Sequence, residues 1–562
     1  MLVILLDWFY IAVVCTILGV GVLKLFNRLV GREKEDLSLM HNLAAGIVFS
    51  TVYAQYFSLF YRVSLLAQLL LLALCIFICF RCKDTLAKMI TQIRSTAFSW
   101  QGILYLFLLL GVAFFTSRGV QHTDTGIYHA QAIRWIEEFG VVKGLGNMMG
   151  NYAYNSSYLC FAALFSMKFL CGVSLHTTNG LIAVSMCIYA FHRLKDFKFH
   201  TRHIADLLCV SNLFYALVIA NTIMSPATDA PTMFMTIYFL IRFAEVFESE
   251  YPSYQELSLL SIGLVYVVTL KLSAGCIVLL VLSPAIILLQ KKRWKEIGIY
   301  IGTGILVLLP FLLRNIILSG WLLYPFAAID LFSFDWKIPI ERVITDSDQI
   351  KVYGRCLYEN NLINMPLKEW FPIWWGHQER YEQMLMAGSL LSLAGSFVLF
   401  LQKLLQKQKI NWNIVLLHTT CIICAVAWFF TAPFVRYGLG FLLAYPMIYL
   451  GNCLFTNRMN LLKIGTGFCM FGVICCLVPY FDHYITDDLV FAKQNLLDME
   501  YYVVQKDYEV FNTASYEMNG LTFYYPTDGD KAGYYGYPGA SGRKDEQVEM
   551  RGDGLRDGFK VK

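Results

Sequence analysis

Two aspartates and three basic residues are the groups in this chain whose types and settings could carry chemistry. Asp124 lies in RGVQHTDTGIYHAQAIRWIEEFG, with His122 and His129 on either side. Asp229 sits in MSPATDAP between Pro226 and Pro231, Lys271 in TLKLSAG, Arg314 in LLRNIILSGWLLYP and Arg436 in APFVRYGLG. A carboxylate held at a membrane boundary can act as a general base. The planar fork of arginine suits phosphate, to which it donates two parallel hydrogen bonds. Each residue also has a plainer role. Asp124 precedes a helical pattern and would cap its first turn; spacing alone favours the cap, which does not exclude catalysis. Asp229 and its prolines fit a turn, and a single cation at a helix end fits snorkelling. His122, Asp124 and His129 are types that ligate divalent metals, but their spacing fixes no geometry, and polar interface histidines are the default.

The elements that must position these groups are apolar. Of the 562 residues 57% are hydrophobic and 15% charged, against roughly 25% charged in soluble chains, and the mean hydropathy is +0.54. An ordinary soluble enzyme is excluded, and the net charge of +5 is too small to argue for nucleic acid. About fourteen apolar stretches of spanning length run from residues 3–25 to 461–480. Most of the sixteen cysteines fall inside them, where Cys behaves as a small hydrophobe. Cys79–Cys82 and Cys421–Cys424 lack the second ligand pair that zinc needs. Met1–Phe26 has neither a basic leading region nor a small-residue cleavage site, so it reads as a retained span.

The expected fold is therefore an all-α polytopic membrane protein with a small extracytoplasmic α/β or β-rich C-terminal domain. Residues 1–100 hold additional N-terminal spans, 101–480 a core with outer loops 118–176 and 314–385, and 481–562 the C-terminal domain. Basic clusters such as Arg81–Arg94, Lys291–Lys295 and Lys403–Lys409 place their loops in the cytoplasm. Both termini then lie outside. Residues 156–172 are apolar, yet one more span would invert every later loop, so the segment is expected to be interfacial or re-entrant. From Thr125 to Phe139 the period is helical, with Tyr128, Ala132, Trp135, Ile136 and Phe139 on one face, as in a helix lying on the membrane surface. In the tail, TFYYP, GYYGYP and VEMRGDG carry the punctuation of short strands.

Phosphate loops of the GxxxxGK[ST] kind, GxGxxG and HExxH are all lacking, so any donor is expected to be membrane-borne. The order HTDTGIYHAQAIRWIEEFG, NSSYLCFAALFSMKFLCGVS, PATDAPTMF, RNIILSGWLLYP and FVRYG resembles the C-type superfold of integral-membrane glycosyltransferases, over about residues 101–455. It is most similar to bacterial multispan proteins of that superfold whose tail ends like RGDGLRDGF. Two features depart from the pattern: three spans precede the expected first one, and Asp124 stands alone where several relatives have paired acids.

The resemblance implies transfer of a sugar from a polyprenyl-phosphate donor to an envelope glycan, lipid or protein acceptor at the outer face of a bacterial cytoplasmic membrane. It makes Asp124 the base that deprotonates the acceptor and Asp229 a supporting or metal-binding carboxylate. Arg314 and Arg436, with Lys271, would hold the donor phosphate, and Tyr128, His129 and Tyr437 would line the substrate site. The metal is unspecified, a divalent cation being one option. A surface-polysaccharide polymerase or ligase is the neighbouring alternative, favoured by Trp370, Trp374 and Trp375 in the long outer loop. A lipid-linked-sugar transporter or flippase would instead use charges inside spans, of which Asp7 and Asp206 are the examples.

The loop charges generate a test. Single cysteines replacing Asp346, Gln378 or Gly520 should react with an impermeant thiol reagent in intact cells, and one replacing Trp294 should not. Labelling at Trp294 from outside would reverse the orientation.

Overall fold

The computed structural model of the protein describes residues 1–31, 38–195, 203–249, 253–455 and 486–562. It is mainly helical. By length and composition seven helices could cross a membrane: α1 (Leu2–Val30), α2 (Leu39–Phe60), Asp229–Glu248, Leu272–Gln290, Trp294–Ser319, Arg380–Leu405 and Trp412–Thr431. An eighth crossing is made if α3 (Leu65–Arg81) and α4 (Lys83–Ala97), which meet at 93°, count as one span. Shorter apolar helices are α5 (Trp100–Thr116), Ser157–Cys171, Ile204–Val218 and Tyr254–Leu270. The outward faces of α3 and of the helix Arg380–Leu405 are apolar, with Leu69, Phe77, Leu390 and Phe397 exposed; such surfaces suit lipid and would drive aggregation in water. The expected stretch 461–480 lies outside the described residues.

One end of the bundle collects the irregular segments. The Met1 amine donates to the Tyr501 carbonyl at 2.7 Å, Val63 N–H to Ile136 and Lys506 N–H to Ser117. At the opposite end, Lys24 reaches Thr85 and Arg193 pairs with Asp206 and Glu245. Lys291 there sits over the Tyr254 ring.

The helix expected on the membrane surface forms as a π-helical turn, Thr125–His129, followed by α6 (Ala130–Glu138). Its position differs from the expectation. Ile133 and Ile136 join the bundle core, while Trp135 packs edge-on to Tyr537 and Phe559 of the tail. The helix is a layer between bundle and tail, and its apolar residues are spent on protein contacts. Residues 156–172 contain α7 (Ser157–Leu164), apolar on all sides and buried throughout. Eight residues span about 12 Å, too little to cross a bilayer of about 30 Å.

The tail is folded. β1 (Thr513–Met518) and β2 (Leu521–Pro526) form an antiparallel hairpin, Met518 opposite Leu521, through Asn519 and Gly520 at φ 51° and 74°. That Asn-Gly pair supplies the positive φ values that tight hairpins require. β3 (Val548–Met550) pairs antiparallel with β4 (Phe559–Val561). TFYYP and VEM are strands as expected, whereas GYYGYP is an irregular loop. Tyr516, Phe523, Tyr537, Val548 and Phe559 share one core with Trp135, Leu145, Met148, Tyr152 and Leu318.

That shared core makes the tail's order depend on Trp135. Wild-type protein should resist mild proteolysis across residues 504–562. Trp135→Ala should cost about 3–5 kcal/mol and open the tail to cleavage, read by mass spectrometry of the digest.

Candidate active site

Four charged side chains from four separate segments meet at the end of the bundle that carries the tail. Asp124 comes from the loop before the π-helical turn. Ser225 Oγ pins that loop by accepting from the Gln121 and His122 N–H groups at 2.9 and 3.0 Å. Asp229 is the first residue of the helix Asp229–Glu248. Lys271 follows the helix Tyr254–Leu270 in extended backbone. Arg436 stands in the first turn of the helix Val435–Phe455, whose entry is held by two indoles: Trp374 Nε1 donates to the Pro433 carbonyl at 2.9 Å and Trp428 Nε1 to that of Phe434 at 2.7 Å.

The charges form a chain. Arg436 Nη2 donates to Asp124 Oδ2 at 2.8 Å and its Nε lies 3.5 Å from Asp229 Oδ2; Lys271 Nζ pairs with Asp229 Oδ1 and lies 3.3 Å from the centre of the Tyr437 ring. Two carboxylates balance two cations. Arginine at a helix N-terminus opposes the helix dipole, and here two carboxylates offset that cost. The Asp124 side chain makes no capping hydrogen bond, so the role favoured by spacing alone is not the one adopted. The guanidinium, a full charge with directed donors, wins over the N–H groups of the turn. Arg436 and Asp124 side chains keep 39% and 22% exposure, which leaves the chain open to a ligand.

Burial sets the protonation states around Asp124. Burial alone would raise the Asp124 pKa, but the charges around it, the Arg436 guanidinium foremost, outweigh it and hold the carboxyl below the ordinary range. Burial also lowers His122, against the pull of Asp124. It pushes His129 down to about 3. The site therefore holds an ionised carboxylate beside two neutral imidazoles. His129 is 2% exposed; its Nδ1 contacts Thr125 Oγ1 at 3.3 Å, and Nε2 has no partner among the described residues. The His122 ring is 5.8 Å away and its Nε2 lies 3.5 Å from Arg436 Nη1.

The structure thus gathers Asp124, Asp229, Lys271, Arg436 and Tyr437, with the Tyr128 ring tilted against that of His129, their centres 4.2 Å apart. Arg314 is not brought to them. It is 3% exposed, and its Nε and Nη1 donate to Asn155 Oδ1 at 3.1 Å and Ser58 Oγ at 2.5 Å. Asp7 and Asp206, read as charges inside spans, lie near helix ends, where Asp7 accepts from Thr177 and Asp206 meets Arg193 at 3.0 Å. Among the described residues no three His, Cys, Asp or Glu side chains converge to hold a metal, His122, Asp124 and His129 included. His122 enters as a direct neighbour of Arg436, a link that needed the late R-Y motif to be placed against the HTD motif. Tyr154, 6.0 Å from Tyr128, follows in NYAYNSS with no signal beyond its aromatic type.

Native His129 stays neutral down to about pH 3, while in the unfolded chain it takes up a proton near pH 6.5. The unfolded state therefore binds more protons across that window, and stability falls as pH is lowered through it. Between pH 7 and 5 the loss is on the order of 2 kcal/mol. Thermal unfolding in detergent should show this acid sensitivity, and His129→Gln should remove that share of it. An unchanged slope in the variant would place the acid-sensitive group elsewhere.

No curated protein and no solved structure matches the chain. A family described as a domain of unknown function (DUF8201) matches residues 1–443, a span that contains the entire charge chain. The protein belongs to that family.

Proposed function

We propose that the protein is a membrane glycosyltransferase that moves a sugar from a polyprenyl-phosphate donor to a cell-envelope acceptor on the extracytoplasmic face. The observation that carries this reading is the Asp124–Arg436–Asp229–Lys271 chain, part-exposed at the end of an apolar bundle. A lipid-linked phosphate presented at that level meets two cations. As Arg436 turns toward the phosphate, Asp124 loses the cation that depresses its pKa and gains basicity. It can then take the acceptor hydroxyl proton as the hydroxyl oxygen attacks the anomeric carbon and the lipid phosphate departs. Positioning and charge neutralisation supply most of the catalysis, and attack opposite the leaving group inverts the anomeric centre.

The reading includes a C-type, fourteen-pass architecture in a bacterial cytoplasmic membrane, with both termini outside. Its support is the gathering of the Met1 amine, the tail and the segments around Asp124 and Arg436 at one end of the bundle. Arg314 then serves the scaffold at Asn155 and Ser58, and phosphate binding falls to Arg436 and Lys271.

Asp124→Asn can keep a hydrogen bond to Arg436, so the fold should survive. Transfer from a defined polyprenyl-phosphate sugar by protein in liposomes should drop about 10²–10⁴-fold. Arg436→Gln should raise the donor KM. Near-normal turnover by the Asn variant would move the base to another residue.

A further inference from the structure

The charge chain adjoins a line of tyrosines that ends on a carboxylate with no part in the transfer described above. Ring centres of Tyr128 and Tyr154 are 6.0 Å apart, as are those of Tyr154 and Tyr324. Tyr324 is buried and donates its hydroxyl to Asp346 Oδ2. Asp346 lies on the helix Ile340–Gly354; Arg342 and, from the tail, Lys544 stand within electrostatic reach of it. Tyr154 is in reach of Asp124 and Tyr437 on one side and of Asp346 on the other. Gly150 makes the junction: a Cβ there would run into Asp346 Oδ2 and come within 3.0 Å of the Tyr324 hydroxyl.

Tyr128, Tyr154 and Asp346 are only partly buried. Among the described residues the Tyr128 and Tyr154 hydroxyls have no hydrogen-bond partner. Flat apolar faces with free phenol groups, closed by a carboxylate acceptor, match one kind of ligand. A pyranose offers a C–H face to an aromatic ring and a rim of hydroxyls to phenols and carboxylates. A lipid tail would leave those polar groups unpaired.

We infer that Tyr128, Tyr154 and Asp346, with Tyr324 positioning the carboxylate, form the acceptor subsite, and that the acceptor is a neutral saccharide. The inference rests on the transferase reading for the word acceptor. The saccharide site itself is carried by the tyrosine line.

Full-length protein in detergent is titrated with neutral tetrasaccharides (maltotetraose, cellotetraose, chitotetraose and mannotetraose) and binding is read by saturation-transfer NMR. At least one should bind saturably. Tyr154→Ala should weaken it tenfold or more and Asp346→Asn about threefold, while Tyr154→Phe should recover most of the affinity at an unchanged melting temperature. Binding of none by the wild type, or equal binding by Tyr154→Ala, overturns the site. Binding that tracks Tyr154 without transfer from any polyprenyl-phosphate donor overturns the transferase reading instead. Transfer with an unchanged acceptor KM in Tyr154→Ala overturns the acceptor assignment and leaves the transferase.

Discussion

Charges carried to the edge of an apolar bundle must be paired, and that requirement organises this end of the protein. Burying an isolated carboxylate or ammonium costs several kcal/mol even after relaxation. Asp229 and Lys271 meet that cost with one another, and Arg436 joins Asp229 to Asp124. Each partner enters from a different segment, so the chain of pairs fixes how the loop before α6 and three helix ends sit together. Removing one member would leave its neighbour buried with unmatched charge. The same arrangement keeps the group of four electrically balanced until a ligand with its own charge arrives.

Behind the charge chain stands a second polar assembly that ties α6 to the tail. Glu137 is buried and accepts from Ser174 Oγ and the Tyr534 hydroxyl, both at 2.7 Å, while Lys168 pairs with the adjacent Glu138 at 2.8 Å. Gln131 donates to the Gly536 carbonyl at 2.8 Å and accepts from Gly539 N–H at 3.1 Å. Tyr152 donates to the Gly539 carbonyl at 2.7 Å. These bonds clamp the helix that begins at the π-helical turn, and so back the loop that carries Asp124. A site supported on both faces holds its geometry better than one on a free surface helix.

The placement of Arg314 separates two jobs that look alike in a chain. Arg314 and Arg436 both sit beside apolar runs at the same bundle end. Arg436 faces carboxylates with part of its side chain exposed. Arg314 is enclosed and spends its donors on Asn155 and Ser58, which links α2, the segment before α7 and the helix Trp294–Ser319. One cation can turn to a ligand, and the other holds helices in place.

Composition and periodicity were enough to read apolar helices and a folded tail with strands at TFYYP and VEM, and residue type and setting singled out Asp124, Asp229, Lys271, Arg314 and Arg436. Those features are local: hydropathy reports preference for lipid or core, a period reports a helical face, and Asn-Gly reports a tight turn. Partner choice is not local. Asp124 and Arg436 are 312 positions apart, and nothing near Asp124 says that its carboxylate will leave the helix turn for a guanidinium. Nor does the pattern Tyr128–Phe139 say whether protein or lipid covers that face; only the docked tail decided it. Tyr154, Tyr324 and Asp346 became neighbours through the same long-range packing, because side-chain pairing follows the path of the folded chain and not its spacing.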